Sequence, residues 1–293
     1  MTLLILAAGL GSRYGGLKQL DGIGPNGELI IEYSIYDAYK AGFSKVVFLI
    51  REEHKDIFHE KIGKKASKFI NVEYAFQNNN NVPKEYNLPK DRKPLGTGHA
   101  VLCAKDNIGD DDFVVINADD FYGRNSFVNI IDYMKSSDKN EHCLVAYQLK
   151  NTISENGTVS RGVCFKDENN YLSNIVEHTN INSKYLNEVE PIVQLKEDTY
   201  VSMNFWGFRA NIFEVFEKCF KEFLEYNKND LQKCEYYLTI PPKKCIDENI
   251  SKIKVIETTS SWYGVTYQED KAETAKSISE LTNLGIYPNN LWQ

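Results

Sequence analysis

The sequence predicts a mixed α/β fold with a mainly parallel central sheet and flanking helices, and three observations predict it. Over the first 150 residues, short apolar β-type runs alternate with helix-period stretches, the order that produces βαβ crossovers and parallel pairing. After residue 150, strand-like runs follow one another with only turns or a polar loop between them, so these strands extend or flank the first sheet. Hydrophobic residues make up 42% and charged residues 26% of 293 residues, which fits one globular domain, 1–293, with halves 1–150 and 151–293.

Each element has a local reason. The run Leu3–Ala8 is too short to cross a membrane and has no basic residue before it, so 2–8 reads as a buried strand rather than a leader. In 30–41, Ile31, Ile35, Ala38 and Tyr39 share a helical face and Gly42 supplies the stop. Strands at 45–50 and 71–76 flank a helix at 53–64, and the Asn run 78–81 forms a polar loop tip. A helix at 97–105, a strand at 112–118, a helix at 124–136 and a strand at 142–149 continue the alternation. The later strands are 159–166, 171–178 and 200–208. Amphipathic helices follow at 210–226 and 269–284, the second closed by Gly285 before Pro288.

Lys plus Arg total 34 against 41 Asp plus Glu, a net charge of -7. Binding to a nucleic-acid backbone or an anionic membrane rests on the opposite balance, so both partners are disfavoured. The six cysteines form no C-x-x-C pair and no zinc spacing with the five histidines. They read as reduced core residues of a cytoplasmic protein.

Three stretches carry chemistry. Residues 6–18, L-A-A-G-L-G-S-R-Y-G-G-L-K, follow the first strand directly. Small residues let backbone approach a ligand, and consecutive loop N–H groups cradle phosphate oxygens. A dinucleotide fingerprint fails at Tyr14 and a P-loop fails at Leu17. Pro94–Ala100, P-L-G-T-G-H-A, opens a helix, where glycines leave backbone groups able to read a base edge or bind an anion. Val114–Gly123 is an apolar strand ending in Asp119 and Asp120, oxygen donors suited to Mg²⁺ at the ligand edge of a parallel sheet. His99 reads as a packed histidine rather than a base.

Together these stretches resemble the nucleotidyltransferases with a Rossmann-like GT-A fold, the sugar-1-phosphate nucleotidylyltransferases and their relatives. The resemblance spans about residues 1–285 and is specific over 5–20, 94–101 and 114–123. It implies that Ala8, Gly9, Gly11 and Ser12 wrap the triphosphate, that Arg13 holds the β- and γ-phosphates, and that Lys18 meets phosphate near the reacting centre. Gln77, Gly96 and Thr97 would lie against base and ribose. Asp119 would bind the catalytic Mg²⁺, with Asp120 as secondary ligand. Arg161-Gly162-Val163, Ile175-Val176-Glu177-His178 and Asn204-Phe205-Trp206-Gly207 look like the sugar-side stations, so Gly162, Glu177 and Asn204 would contact sugar hydroxyls.

The sequence departs from that pattern in places. Leu17 stands for the usual Pro, and the short Arg13-to-Lys18 gap is more like the molybdopterin branch. His178 stands for the usual Lys, and Gly264 for a second metal-binding Asp, leaving Asp270 or Glu269 as nearby carboxylates. The implied activity is Mg²⁺-dependent nucleotidylyl transfer from an NTP to a sugar 1-phosphate, giving an NDP-sugar and pyrophosphate. Residues 1–150 would form the nucleotide-binding half and 151–293 the acceptor half. Alternatives are a cytidylyltransferase acting on phosphocholine or a molybdopterin-type acceptor, a non-catalytic nucleotide-sugar-binding regulator, and a GT-A glycosyltransferase. Tyr14 disfavours a Rossmann oxidoreductase.

Overall fold

The computed structural model describes residues 1–9, 22–79, 82–86, 88–89, 92–154, 156–187, 193–260, 262–264 and 270–293. Four parallel strands form the heart of the sheet: β1 (Thr2–Leu6), β2 (Lys45–Ile50), β3 (Asn71–Phe76) and β4 (Phe113–Asn117). They lie in the order β3-β2-β1-β4. Successive residues of β1 alternate between two apolar layers, with Leu3 and Ile5 packing on one face of the sheet and Leu4 on the other. A strand covered on both faces has to be apolar throughout, hence the unbroken run that opens the sequence.

The helices between these strands follow their sequence signals. Ile30–Ala41 buries Ile31, Ile35 and Ala38, and Gly42 caps it at φ 97°, its N–H reaching Ala38 O and Tyr39 O. The expected helix at 53–64 is a helical run over 52–66 that contains a π-helical turn, His59–Gly63. The helix expected at 97–105 is Thr97–Cys103 followed by Lys105–Ile108, and Arg124–Ser136 covers the next crossover.

The second half adds antiparallel strands to the same sheet. After the two-residue β5 (Asp120–Phe121) come β6 (Glu141–Gln148), β7 (Val159–Lys166), β8 (Leu172–Ile181), β9 (Leu186–Asn187), β10 (Val193–Gln194) and β11 (Tyr200–Phe208). β11 pairs with β6 along one edge. Along its other edge it pairs first with β7, at Val201 and Ser202, and then with β4, from Trp206 to Phe208. Between Ser202 and Trp206 the register of β11 against β6 shifts, over the stretch where its other edge passes from β7 to β4. β12 (Lys252–Thr258) closes the sheet parallel to β6, while β13 (Tyr263–Gly264) pairs with β5. The sequence reading contained neither β12 nor the helix Ile240–Asp247. The late helices are Ile212–Tyr226 and Asp270–Asn283. Among the described residues, no helix is long and apolar enough to cross a membrane.

Burial sets a pH dependence. Desolvation lowers the pKa of buried His99 and His142 from 6.5 to about 4, and it raises that of buried Asp37 from 3.8 to about 7. Between pH 4 and 6.5 the unfolded chain binds more protons at each histidine, so stability rises with pH there; at Asp37 the sign reverses, and stability falls between pH 4 and 7. Two histidines outweigh one carboxylate, so the unfolding free energy should increase from pH 4.5 to 6.5. Urea titrations at both pH values check this, and a flat or falling profile contradicts it.

Candidate active site

A cleft of about 310 Å³ lies where β11 passes from β7 to β4. It gathers Thr97, Asp119, Asp120, Gly162, Glu177 and Asn204, all singled out in the sequence, from segments as much as 107 residues apart. The first-half loop delivers less to view. Ala8 is buried and Gly9 exposed just beyond β1, whereas Gly11, Ser12, Arg13 and Lys18 lie outside the described residues.

Asp119 stands half-buried in the turn after β4, as expected for a strand-end carboxylate. Asp120 is buried, and its Oδ2 accepts from Asn117 Nδ2 at 2.9 Å and from the Tyr122 hydroxyl at 3.2 Å. The same hydroxyl accepts from Asn117 N–H at 3.0 Å and lies 2.9 Å from Met203 O. Tyr122 thereby ties the end of β4 to the irregular part of β11. There Asn204 adopts φ 59°, a conformation asparagine tolerates better than most residues. Its Nδ2 donates to Asn117 Oδ1 at 3.4 Å.

Glu177 stands opposite Gly162 on neighbouring strands. A Cβ at 162 would lie 3.1 Å from Ile175 Cδ1 and 3.5 Å from Glu177 Oε2, so the glycine keeps the cleft floor open beneath the carboxylate. Glu177 is open to solvent at the cleft mouth, yet desolvation raises its pKa above the ordinary value, opposed by Arg161.

The glycines at 96 and 98 have a structural partner. Gly96 sits at φ 104°, and a Cβ there would lie 2.7 Å from Tyr236 O; one at 98 would lie 2.8 Å from the Tyr236 ring. The chain's own segment 236–238 runs against this turn. Tyr236 N donates to Leu95 O at 2.6 Å, Gly98 N to Tyr236 O at 2.8 Å, and Leu238 N to Thr97 Oγ1 at 3.0 Å. Half-buried Gln77 donates to Gly96 O at 3.1 Å. His99 is fully buried against Phe220, at 5.2 Å between rings, and stays neutral at pH 7.

The cleft also holds residues to which the sequence reading gave no role: Arg161, Ser202, Tyr237, Thr239 and Trp262. Arg161 had a signal, since it precedes Gly162 in a quoted station; Tyr237 and Thr239 reach the site only by tertiary pairing with Thr97.

Position 264, where the resemblance implies a second metal-binding Asp, has no room for a side chain. A Cβ on Gly264 would collide with the Trp262 ring and approach Asp120 Oδ1 to 3.1 Å. Asp270 lines a separate cavity of about 310 Å³, where its Oδ1 accepts from Ser154 Oγ at 2.9 Å and Asn156 Nδ2 at 2.8 Å. Asp270 thus lines a different cavity from the one that holds Asp119; Glu269 lies outside the described residues. Among those residues, no three His, Cys, Asp or Glu side chains cluster to hold a metal. Gly264→Asp should lower stability by about 1–3 kcal/mol through overpacking. A melting temperature matching the parent protein's would refute the clash.

The family model described as nucleotidyl transferase matches residues 3–239. A curated relative, the low-salt glycan biosynthesis nucleotidyltransferase Agl11 of Haloferax volcanii, is 26% identical over 140 residues, 46% of this chain and 34% of that protein. The match thus spans about a third of the relative's length. Solved structures share the fold. One is described as a glucose-1-phosphate thymidylyltransferase from Bacillus anthracis in complex with sucrose (TM-score 0.66, 14% identity, 96% of each chain). A second is a UDP-glucose pyrophosphorylase complexed with UDP-glucose (0.62, 15%, 95% of this chain and 98% of that one). A third is the inositol-1-phosphate CTP transferase from T. maritima (0.62, 13%, 95% and 96%). With a family model matched from β1 to the Tyr236–Thr239 segment of the cleft, the chain belongs to the nucleotidyl transferase family of enzymes.

Proposed function

We propose that the cleft transfers a nucleotidyl group from an NTP to a sugar 1-phosphate, releasing an NDP-sugar and pyrophosphate. The observation that carries this reading is the meeting of strand-end Asp119 with Glu177 and Asn204 in one cleft. A carboxylate and an amide accept and donate together, which suits sugar hydroxyls. The named activities of the fold neighbours, on glucose 1-phosphate, UDP-glucose and inositol 1-phosphate, point to the same class.

In this reading an acceptor phosphate oxygen attacks the α-phosphorus of the NTP in line, and the bond to pyrophosphate breaks. The acceptor is already an anion, so no base is needed. The protein must align two mutually repelling anions and neutralise charge on the transferring group. Arg13 and Lys18 supply positive charge, while Ala8, Gly9, Gly11, Ser12, Gln77, Gly96 and Thr97 form the nucleotide side. Gly162, Glu177 and Asn204 form the acceptor side, so that residues 1–150 and 151–293 are two halves of one domain. Asp119 is the residue to hold Mg²⁺, with Asp120 secondary: a half-buried carboxylate at a strand end suits a hard ion that takes few protein oxygens beside substrate phosphates and water. Bound there, the ion would screen phosphate charge. A cytoplasmic location belongs to the same proposal, and the six free cysteines, four of them buried, fit it.

Pyrophosphate release tests the reading, with each NTP, Mg²⁺ and a panel of sugar 1-phosphates plus inositol 1-phosphate and phosphocholine. One NTP–sugar 1-phosphate pair should turn over. Turnover with phosphocholine alone, or intact NTP binding with no release from any pair, discards it.

A further inference from the structure

The cleft wall contains a cation that the proposed chemistry has not used. Arg161 is 9% exposed and lines the cleft. Its Nε donates to Thr152 Oγ1 at 3.3 Å, Nη1 to Ser160 O at 2.8 Å and Nη2 to Thr152 O, and the guanidinium lies 5.0 Å over the Trp262 ring. Those bonds use three of its five N–H groups. None of the acceptors carries a charge, and among the described residues no carboxylate forms an ion pair with it. Asp120 and Glu177, the nearest acids, only oppose the fall of its pKa to about 10 caused by burial.

A buried charge whose opposite charges, Asp120 and Glu177, act only from beyond ion-pair distance leaves room for a ligand's negative charge at close range. The surroundings restrict that ligand. Asp119, Asp120 and Glu177 make the rest of the lining acidic, so a small anion is drawn to the arginine and repelled elsewhere. Position 178, where His stands for the usual Lys, is directly opposite Arg161 in the β7–β8 register. Side chains of such a pair leave the sheet on one face with Cβ atoms about 5 Å apart, so the positive charge lies one strand over from the position where the resemblance has a Lys.

We propose that Arg161 binds the phosphate of the acceptor, through the two guanidinium N–H groups that its structural bonds leave over. The fork geometry of arginine suits two phosphate oxygens, and its rigid seat on Trp262 and Thr152 fixes where that phosphate lies. The inference rests on the acceptor being a phosphorylated small molecule, as proposed above.

The test is the ratio of two equilibrium affinities, measured calorimetrically for glucose 1-phosphate and for methyl α-glucoside as its uncharged counterpart. The parent protein should favour the phosphorylated probe by about tenfold or more, equivalent to one charge-assisted interaction. Arg161→Met, which keeps an apolar stem over Trp262, should bring the ratio close to one with NTP affinity unchanged. Arg161→Lys keeps the charge and should retain most of the ratio. If the methionine variant does not fold, the lysine variant decides: an anion site keeps both the ratio and the neutral probe's affinity, whereas a purely structural arginine lowers the affinity for both probes. Recovery of the ratio in the double variant Arg161→Met, His178→Lys would place the charge on the β7–β8 rung. A ratio unchanged in folded Arg161→Met, or a parent protein that binds both probes alike, overturns the proposal. Because the ratio belongs to the free protein, it is readable even if no NTP–acceptor pair turns over.

Discussion

Asp119→Ala is expected to reduce turnover by about a hundredfold or more, in line with the loss of one preorganised charge-stabilising group at a phosphoryl-type centre. The side chain is half-buried at the end of β4 and lines the cleft, so its removal leaves no cavity in either apolar layer. Measuring kcat across a Mg²⁺ titration separates the possibilities. If Asp119 holds the metal, the variant needs more Mg²⁺ and its maximal rate stays low; full activity at the parent's Mg²⁺ requirement removes the assignment. Asp120→Asn should behave differently, because that carboxylate accepts hydrogen bonds from Asn117 and Tyr122 and its loss disturbs the cleft wall as well.

The largest expected effect on stability belongs to Arg209, far from the proposed chemistry. Its side chain is 2% exposed. Nη1 reaches Asp112 Oδ2 at 2.7 Å and Met134 O at 2.8 Å, Nη2 reaches Ser137 Oγ at 2.8 Å and Asp138 O at 3.1 Å, and Nε reaches Glu141 O at 3.1 Å. One guanidinium thus joins the end of β11 to the C-terminus of helix Arg124–Ser136 and the start of β6. Arg209→Met fills similar space but takes one cation from Asp112, which keeps Lys139, and leaves buried Met134 O and the part-buried carbonyls of Asp138 and Glu141 without their donor, at about 3–5 kcal/mol. That is a large part of the 5–15 kcal/mol typical of a folded domain. Urea denaturation checks it: a loss below about 1 kcal/mol would show that water replaces the network. Arg209→Lys should fall between, since an ammonium cannot span the same acceptors.

The parallel half of the fold was legible because its signals are local. Strands buried on both faces must be continuous apolar runs, and Gly42 marks a helix end that any sequence reading finds. β12 escaped although Lys252-Ile253-Lys254-Val255 alternates and buries Ile253 and Val255; the alternation is short and its partner β6 lies over a hundred residues away. Helix Ile240–Asp247 is short and opens with Pro241 and Pro242, residues acceptable in a first helical turn but carrying no helical period of their own. The glycines of Pro94–Ala100 were read as room for a ligand. The backbone that approaches them in the structure is Tyr236.

For the site, the sequence by itself determined the chemical types: a glycine-rich loop with Arg13 and Lys18, a strand ending in two carboxylates, and Gly162, Glu177 and Asn204 on later strands. Side-chain chemistry and strand-end placement are local properties, so these were readable without coordinates. Tertiary structure alone decided which groups share a cleft. The cleft lies where β11 passes from β7 to β4, the irregularity there presents Asn204, Trp262 fills the space a side chain at 264 would need, and burial seats the Arg161 guanidinium over Trp262 beside Thr152. Each of these depends on pairing between segments distant along the chain, and no one-dimensional pattern encodes the register in which distant strands meet.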